Sequence, residues 1–436
     1  MVKLNLKNKF AFLNKSKAIN SINSTLGLEE NINTSATWFQ SMEPVIYAKK
    51  NGHKLYKFKK IIINHEDTKT FKELLFKNLK KQLDQCKQKI RQEFLKTSDG
   101  SLNVGLNVIL IDSMLREIVN NTYKHVFGNL EYKLSIIAVG GYGRGELAPH
   151  SDLDLLFLIP DNLNQIETKN IEGLIQLILY LLWDLGYTVG HSTRTIFDCI
   201  KKSKLDLTIS TSLLEKRFIA GNQQNFELLN SKFNSFIVNS KTLNFVEAKL
   251  KESDLRHKKF GGSRYVVEPN VKDGKGGLRD LHNLIWISKF AYKVDSISKL
   301  IKMGALSKNE ALAFADAQRF LLSVRCHLHY RSEREDDRLA MDAQLEIAKS
   351  MNFKNTITHK DVERFMKRYF LATKTVGNLT RIFCAAIETE FNKPLRLNFL
   401  SFKKSENVDP FSIQLGRLYV ENKNIAVAIV LCSGVT

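Results

Sequence analysis

Two aspartates one residue apart open the apolar run SDLDLLFLI (Ser151–Ile159), directly behind a glycine-rich turn, IIAVGGYGRG. Successive side chains of an extended strand alternate between its faces, so Asp152 and Asp154 share one side. Two carboxylates entering a buried strand are costly unless something cationic compensates them. A divalent ion does so, and Mg²⁺, which takes carboxylate oxygens together with substrate phosphates, is the natural candidate. Upstream, Gly140, Gly141, Gly143 and Gly145 let backbone N–H groups approach a phosphate closely at a turn that feeds a helix N-terminus. Neither half is specific alone: glycine clusters serve ordinary tight turns, and exposed strands carry Asp-x-Asp pairs freely. Joined as strand, glycine turn, short helix and acidic strand, they imply a site for a metal and a phosphate.

Length and charge bound the rest. With 436 residues the chain holds two or three domains. Its longest apolar tracts, such as LIQLILYLLW (Leu174–Trp183), are too short to span a bilayer, and the N-terminus lacks the pattern of a secretory signal. No membrane association is expected. Five cysteines, Cys86, Cys199, Cys326, Cys384 and Cys432, lie far apart with no C-x-x-C pair, which fits reduced thiols in the cytoplasm. The net charge of +21 raises the question of nucleic acid. The lysines are dispersed, however, in a chain rich in Asn and Ile, with no basic face carrying interleaved aromatics. Such a field still attracts a nucleoside triphosphate or an acidic protein.

The periodicities divide the chain into five parts. Residues 1–70 stay unassigned: a polar Asn/Ser stretch (Ala18–Ser35), an aromatic patch around Trp38 and a β-like run at Ile61–Ile63 give no role. Residues 71–132 form a helical lead-in, with apolar residues three and four apart, able to pack on a following sheet. Residues 133–222 alternate strand and helix as an α+β domain with a small mixed sheet, including a strand at Thr188–Thr195. Residues 223–395 are expected to be helical, broken once by a loop at Arg264–Asn283. Residues 396–436 read as a linker with a β-like stretch from Phe411.

The segment VGGYGRGELAPHSDLDLLFLI resembles the nucleotidyltransferase signature of the polymerase-beta-like superfamily, and more narrowly that of the bacterial protein-PII uridylyltransferases. Further stretches resemble the same family in order and spacing: LLWDLGYTVGHSTRT with DLTISTSLLEKRFIAG; YVVEPNVKDGKGGLRDLHNLIWI; and FLLSVRCHLHYRSEREDDRLAMDAQLEIA with VERFMKRYF. Together they cover roughly residues 71 to 425.

The resemblance implies a fold and a set of roles. The fold is a polymerase-beta-like nucleotidyltransferase domain followed by an all-helical domain. Asp152 and Asp154 would hold Mg²⁺ against the triphosphate of UTP, Gly140, Gly141 and Gly143 would cradle phosphates, and Arg144 and Ser151 would add contacts. The acceptor would be a tyrosine hydroxyl of protein PII, which expels pyrophosphate. A third carboxylate is expected at Asp206, with Glu215 in reserve; either could instead cap a helix or pair with Arg217. Arg194 and His191 lie on the strand expected beside the aspartates, the histidine as readily a structural residue as a functional one. Lys272, Arg279 and Asp280 either close over the nucleotide or belong to an interdomain turn. Glutamine synthetase adenylyltransferase, a cousin, carries a G-S turn and an Asp-x-Arg-x-Arg-Pro strand, where this chain has Gly140-Gly141 and VGHSTRT. The same residues are also compatible with an RNA-tailing protein or a non-catalytic remnant. Full-length family members continue into an HD-type phosphohydrolase and ACT domains. This chain has no His-Asp dipeptide, so a fragment or frameshifted product with neither uridylyl-removing activity nor a glutamine response is expected.

Overall fold

The computed structural model describes residues 43–50, 58–63, 67–128, 132–240, 242–294, 297–303, 305–356, 359–391, 407–408, 411–414 and 417–420. The stretches at Ala18–Ser35 and Trp38, and Cys432, lie outside these residues. A short helix α1 (Glu43–Lys50) precedes two long ones, α2 (Thr68–Thr97) and α3 (Gly100–Phe127). Each long helix starts on an aspartate whose side chain takes an early amide: Asp67 from Thr70 and Asp99 from Leu102. Helix α3 is buried on nearly every side, which its apolar run LNVILIDSML requires. It packs beneath the sheet, as the lead-in pattern suggests.

The β-like run at Ile61–Ile63 is not a strand. Side chains of α3 take the backbone here instead: Ile61 N–H donates to Glu117 Oε2 at 3.0 Å and, just before the run, Phe58 N–H donates to Ser113 Oγ at 2.9 Å.

The sheet is built from β1 (Ser135–Ala138), β2 (Leu153–Leu158), β3 (Val189–Arg194) and β4 (Arg217–Gly221), in the order β3-β2-β1-β4. β1 runs antiparallel to β2 and β4, and β2 runs parallel to β3, so the sheet is mixed, as expected. Between strands come α4 (Gly140–Arg144), α5 (Gln165–Asp184), α6 (Ile196–Leu205) and α7 (Leu207–Leu214). Alternation sorts the strand residues between two cores. Ile136, Ala138, Leu153, Leu155 and Phe157 face α3 and α5. Ile137, Leu156 and Leu158 face α6 and α8 (Gln223–Asn239). Helix α8, assigned from sequence to the helical part, thus covers the second face of the sheet.

The remaining helices, α9 (Thr242–Lys259), α10 (Leu278–Tyr292), α11 (Ile297–Lys302), α12 (Lys308–Ser332), α13 (Met341–Ser350) and α14 (Asp361–Phe391), share a third core. The loop expected to reach Asn283 ends earlier, because Gly277 starts α10. Its residues zip onto those after α12: Val271 N–H donates to the Asp337 carbonyl at 2.8 Å and Leu339 N–H to the Pro269 carbonyl at 2.9 Å. Two sequence blocks far apart in the chain therefore form one surface beside the sheet. The β-like stretch at Phe411 contains β6 (Phe411–Gln414) and β7 (Arg417–Val420), after β5 (Asn407–Val408).

Candidate active site

The glycine turn carries β1 into α4, and Val139 N–H reaches across to the Asp154 carbonyl at 3.0 Å, which ties the turn to the acidic strand. Asp154 sits in register with Gly190 of β3. A Cβ on Gly190 would stand 2.6 Å from Asp154 Oδ1, and one on Gly140, whose φ is +59°, would stand 2.5 Å from Oδ2. Two missing side chains thus make the slot for this carboxylate. Asp152, one residue before β2, is exposed, and buried Leu153 separates the two acids. Burial raises the Asp154 carboxyl above its ordinary value, and the neighbouring charge of Asp152 raises it further. Lys272 opposes that rise. The Ser151 hydroxyl beside the pair is buried without a hydrogen-bond partner.

These features fit a divalent cation with a phosphorylated substrate. Two carboxylates supply hard oxygen ligands and leave coordination positions for phosphate oxygens and water. A cation would relieve the repulsion that raises Asp154, and a phosphate oxygen would satisfy Ser151. Among the described residues no cluster of three or more His, Cys, Asp or Glu side chains forms a metal cage.

Other residues expected at the site do different work. Arg144 is buried and its fork is occupied: Nε donates to Glu146 Oε2 at 2.9 Å, and Nη1 pairs with Glu215. Two of its nitrogens are engaged by buried carboxylates, an internal role for a residue expected from sequence at a phosphate. Gly143 makes room for backbone, because a side chain there would overlap the Glu215 carbonyl. Glu215 does not pair with Arg217; it accepts from Arg144 and, at 2.6 Å, from Trp286 Nε1. Arg217 instead grips Asp112 at 2.7 Å, beside the Tyr142 hydroxyl. Asp206 caps α7, accepting from the Thr208 and Ile209 amides at 2.7 and 3.3 Å. Its carboxylate is an N-cap, one of the uses open to it from sequence.

Register separates the residues of β3. Gly190, Ser192 and Arg194 lie on the Asp154 face, but Arg194 pairs with Leu158, four residues and roughly 13 Å along the strand. The structure does not bring Arg194 to the aspartates. His191 lies on the opposite face, edge-on to Phe157 and Trp183 at 6.5 and 6.4 Å, as a packing residue.

The loop before α10 divides similarly. Lys272 acts on Asp154 while its ammonium is held 2.7 Å from Glu335 and 3.8 Å from Asp337. Arg279 lies over Trp286, 5.6 Å from the ring centre, one contact removed from Glu215. Asp280 is buried and committed to Arg256, to His257 at 2.9 Å and to the Gly276 amide at 2.7 Å. These bonds tie it to the loop and to α9.

Behind the turn, Glu146 accepts from Arg144, from Gln318 Nε2 at 2.6 Å and from His282 Nε2 at 2.8 Å. Burial, then the Arg144 charge, push His282 down to about 3, so the ring is neutral and Nε2 carries the donated hydrogen. Against the effect of burial, Arg144 and His282 keep Glu146 ionised far below the carboxylate range. This chain of buried polar groups joins α4, the end of α7, α10 and α12, and fastens the helical part to the turn. Nothing local in the sequence marks it, since its members are 2 to 172 residues apart.

Sheet order, glycine turn and carboxylate pair define the class: residues 120–219 match the model of the nucleotidyltransferase domain, whose members generally use a divalent metal. Residues 244–384 match the model described as GlnD PII-uridylyltransferase, the family that the sequence resembles. Similar curated proteins are each named bifunctional uridylyltransferase/uridylyl-removing enzyme. That of Azospirillum brasilense is 42% identical over 369 residues, covering 83% of this chain and 39% of the relative. That of Rhodospirillum rubrum is 42% identical over 79% of this chain and 37% of its own length. The Novosphingobium aromaticivorans protein is 44% identical over 71% of this chain and 34% of its own. The chain thus spans less than two-fifths of the length of these relatives. No helix among the described residues is long and apolar enough to cross a membrane.

Proposed function

We propose that this chain transfers UMP from UTP to a tyrosine hydroxyl of the signalling protein PII, in the cytoplasm and with Mg²⁺. The observation that carries the reading is the slot in which Gly140 and Gly190 hold the Asp154 carboxylate beside Asp152. The names of the relatives supply the uridylyl group, and the description of the matching family model supplies PII as the acceptor.

Asp152 and Asp154 would hold the metal, which when bound supplies charge neutralisation along the triphosphate. Ser151 donates its otherwise unpartnered hydroxyl to a phosphate oxygen, and backbone N–H groups of Gly140 and Gly141 cradle another. Lys272, delivered by the helical part, offers a further cation on the same side. In the reaction the phenol oxygen releases its proton to water and forms a bond to the α-phosphorus, the bond to the bridging oxygen breaks, and pyrophosphate leaves. The protein contributes positioning and fixed charge, the two largest sources of rate in such transfers.

The test is transfer of radiolabel from α-labelled UTP to purified PII with Mg²⁺. Wild-type protein labels PII, while Asp152→Asn and Asp154→Asn, both folded by circular dichroism, do not. Full transfer by both variants would remove the metal assignment, and label from ATP but not UTP would move the chain to the adenylyltransferase reading.

A further inference from the structure

β3 is the outermost strand of the sheet on the side of the catalytic pair. Its inner edge is spoken for: Leu153 N–H donates to the Thr188 carbonyl at 2.9 Å and Ile159 N–H to the Arg194 carbonyl at 3.0 Å. In a strand the N–H and C=O of one residue point to the same side and those of the next residue to the other. Thr188, Gly190, Ser192 and Arg194 therefore turn their backbone toward β2, while Val189, His191 and Thr193 turn theirs outward. No described residue pairs with that outer row.

Natural sheets blunt such edges with proline, lysine, bulges or a covering element. The opposite edge of this sheet is treated so. The register of β4 slips by one residue at Ile219, whose carbonyl takes Arg116 Nε at 3.1 Å. β3, VGHSTR, contains neither proline nor lysine, and its six residues keep one unbroken register. The open edge is also the one beside the chemistry: Gly190 touches the Asp154 carboxylate and has no side chain to block an approach across it.

The surroundings indicate what would approach. Arg194 ends the strand, and α6 follows with exposed Lys201, Lys202 and Lys204 against the single acid Asp198. Trp183, 44% exposed, and Phe197, 65% exposed, add apolar surface at the margin.

We infer that the outer edge of β3 is the docking strand for the acceptor protein, which adds an extended, net-acidic segment to the sheet and presents its hydroxyl over Gly190 to Asp154. Strand addition takes its affinity from main-chain hydrogen bonds and its specificity from alternate side chains. A strand added at the usual spacing lies about 4.8 Å from β3. The residue opposite Gly190 then projects on the face shared by Asp154, and its neighbours meet the basic helix. The inference rests on the PII-uridylylation reading and names where on this chain the acceptor binds.

The discriminating variant is Thr193→Pro, which deletes one outward N–H and leaves the pairing with β2 in place. Thr193→Ala, which loses the side chain but keeps that N–H, is its control. Steady-state transfer from UTP to PII should show the KM for PII rising about tenfold or more in Thr193→Pro, one hydrogen bond's worth, with UTP affinity unchanged and Thr193→Ala close to wild type. Equal KM values for Thr193→Pro and wild type, or equal losses in the two variants, would overturn the docking strand. Failure of the wild type itself to label PII would overturn the functional reading instead. Hydrogen exchange on the wild type gives an answer independent of the folding of any variant. Amides of Val189, His191 and Thr193 should exchange fast alone and slow on addition of PII. Amides already slow without PII mean that another segment of this chain occupies the edge, and amides still fast at saturating PII mean that it docks elsewhere; both refute the inference.

Discussion

Gly190 faces the carboxylate of Asp154 so closely that a methyl group on it would stand 2.6 Å from Oδ1. The acid is aimed by an absence on the neighbouring strand. Gly190→Ala is acceptable to an edge strand in backbone terms but must push the carboxylate aside. A shift near 1 Å at a reacting centre costs on the order of 100-fold in rate. Transfer from UTP should fall by about that factor with little change in melting temperature; transfer within threefold of wild type would mean that the carboxylate is not held by this contact.

The raised carboxyl of Asp154 gives a pH signature in metal-free protein. Burial first, then Asp152, make its ionised form less favourable folded than unfolded. The resulting cost is absent below the ordinary carboxylate range, where both states are protonated, and grows as pH rises through that range. Asp154→Asn should therefore melt higher than wild type at pH 7 in chelator, with the gain vanishing near about pH 3. Mg²⁺ should stabilise wild type and leave the variant unmoved. A variant that melts lower than wild type at pH 7 in chelator would contradict this account.

Arg144 separates a structural from a substrate role. With its guanidinium buried between Glu146 and Glu215, Arg144→Met leaves two carboxylates without their cation. Breaking a buried pair from one side costs about 3–5 kcal/mol. Urea unfolding should show that loss. A variant of unchanged stability with a raised KM for UTP would instead return Arg144 to the phosphates.

What sequence discloses here follows from the range of each interaction. The aspartates can be placed on one face because period two is a local property, and the lead-in helices because of their three- and four-residue spacing. Asp206 shows how two uses of one residue look alike in sequence: an aspartate before Leu-Thr-Ile-Ser also reads as a helix start, and its carboxylate caps α7 in the structure. Glu215 and Glu146 have no local signature, since their partners come from α10 and α12, and a carboxylate buried by distant tryptophan, histidine and glutamine looks like any other in sequence. The bond between the Pro269–Asp280 loop and the residues after α12 is equally hidden, although each block resembles the family separately.

The two carboxylates that compete for a third acidic position can be told apart directly. Asp206→Ala removes a cap, worth about 1 kcal/mol, and should leave kcat and both KM values unchanged. Glu215→Gln keeps the shape but weakens the pairing with Arg144 behind the turn, so it should lower both stability and kcat. A fall in kcat for Asp206→Ala without loss of stability would reinstate it as a catalytic group.

Asp337 joins the helical part to the site through one carboxylate, which meets Arg325 at 2.7 Å, His329 at 3.4 Å and Lys272 at 3.8 Å. Burial would raise it, but His329, Arg325 and Lys272 overcome that and hold it well below the usual carboxylate range. A depressed carboxylate contributes stability that is present above its unfolded value and is lost as pH falls toward the folded one. The stability gap between wild type and Asp337→Asn should accordingly be full from pH 6 to 8 and close progressively below about pH 4. Because Lys272 loses one of its two carboxylate neighbours, the KM for UTP should change along with stability, whereas the KM for PII should not. A gap that is constant down to acid pH would show that Asp337 acts through packing alone, and an unchanged KM for UTP would detach Lys272 from the nucleotide.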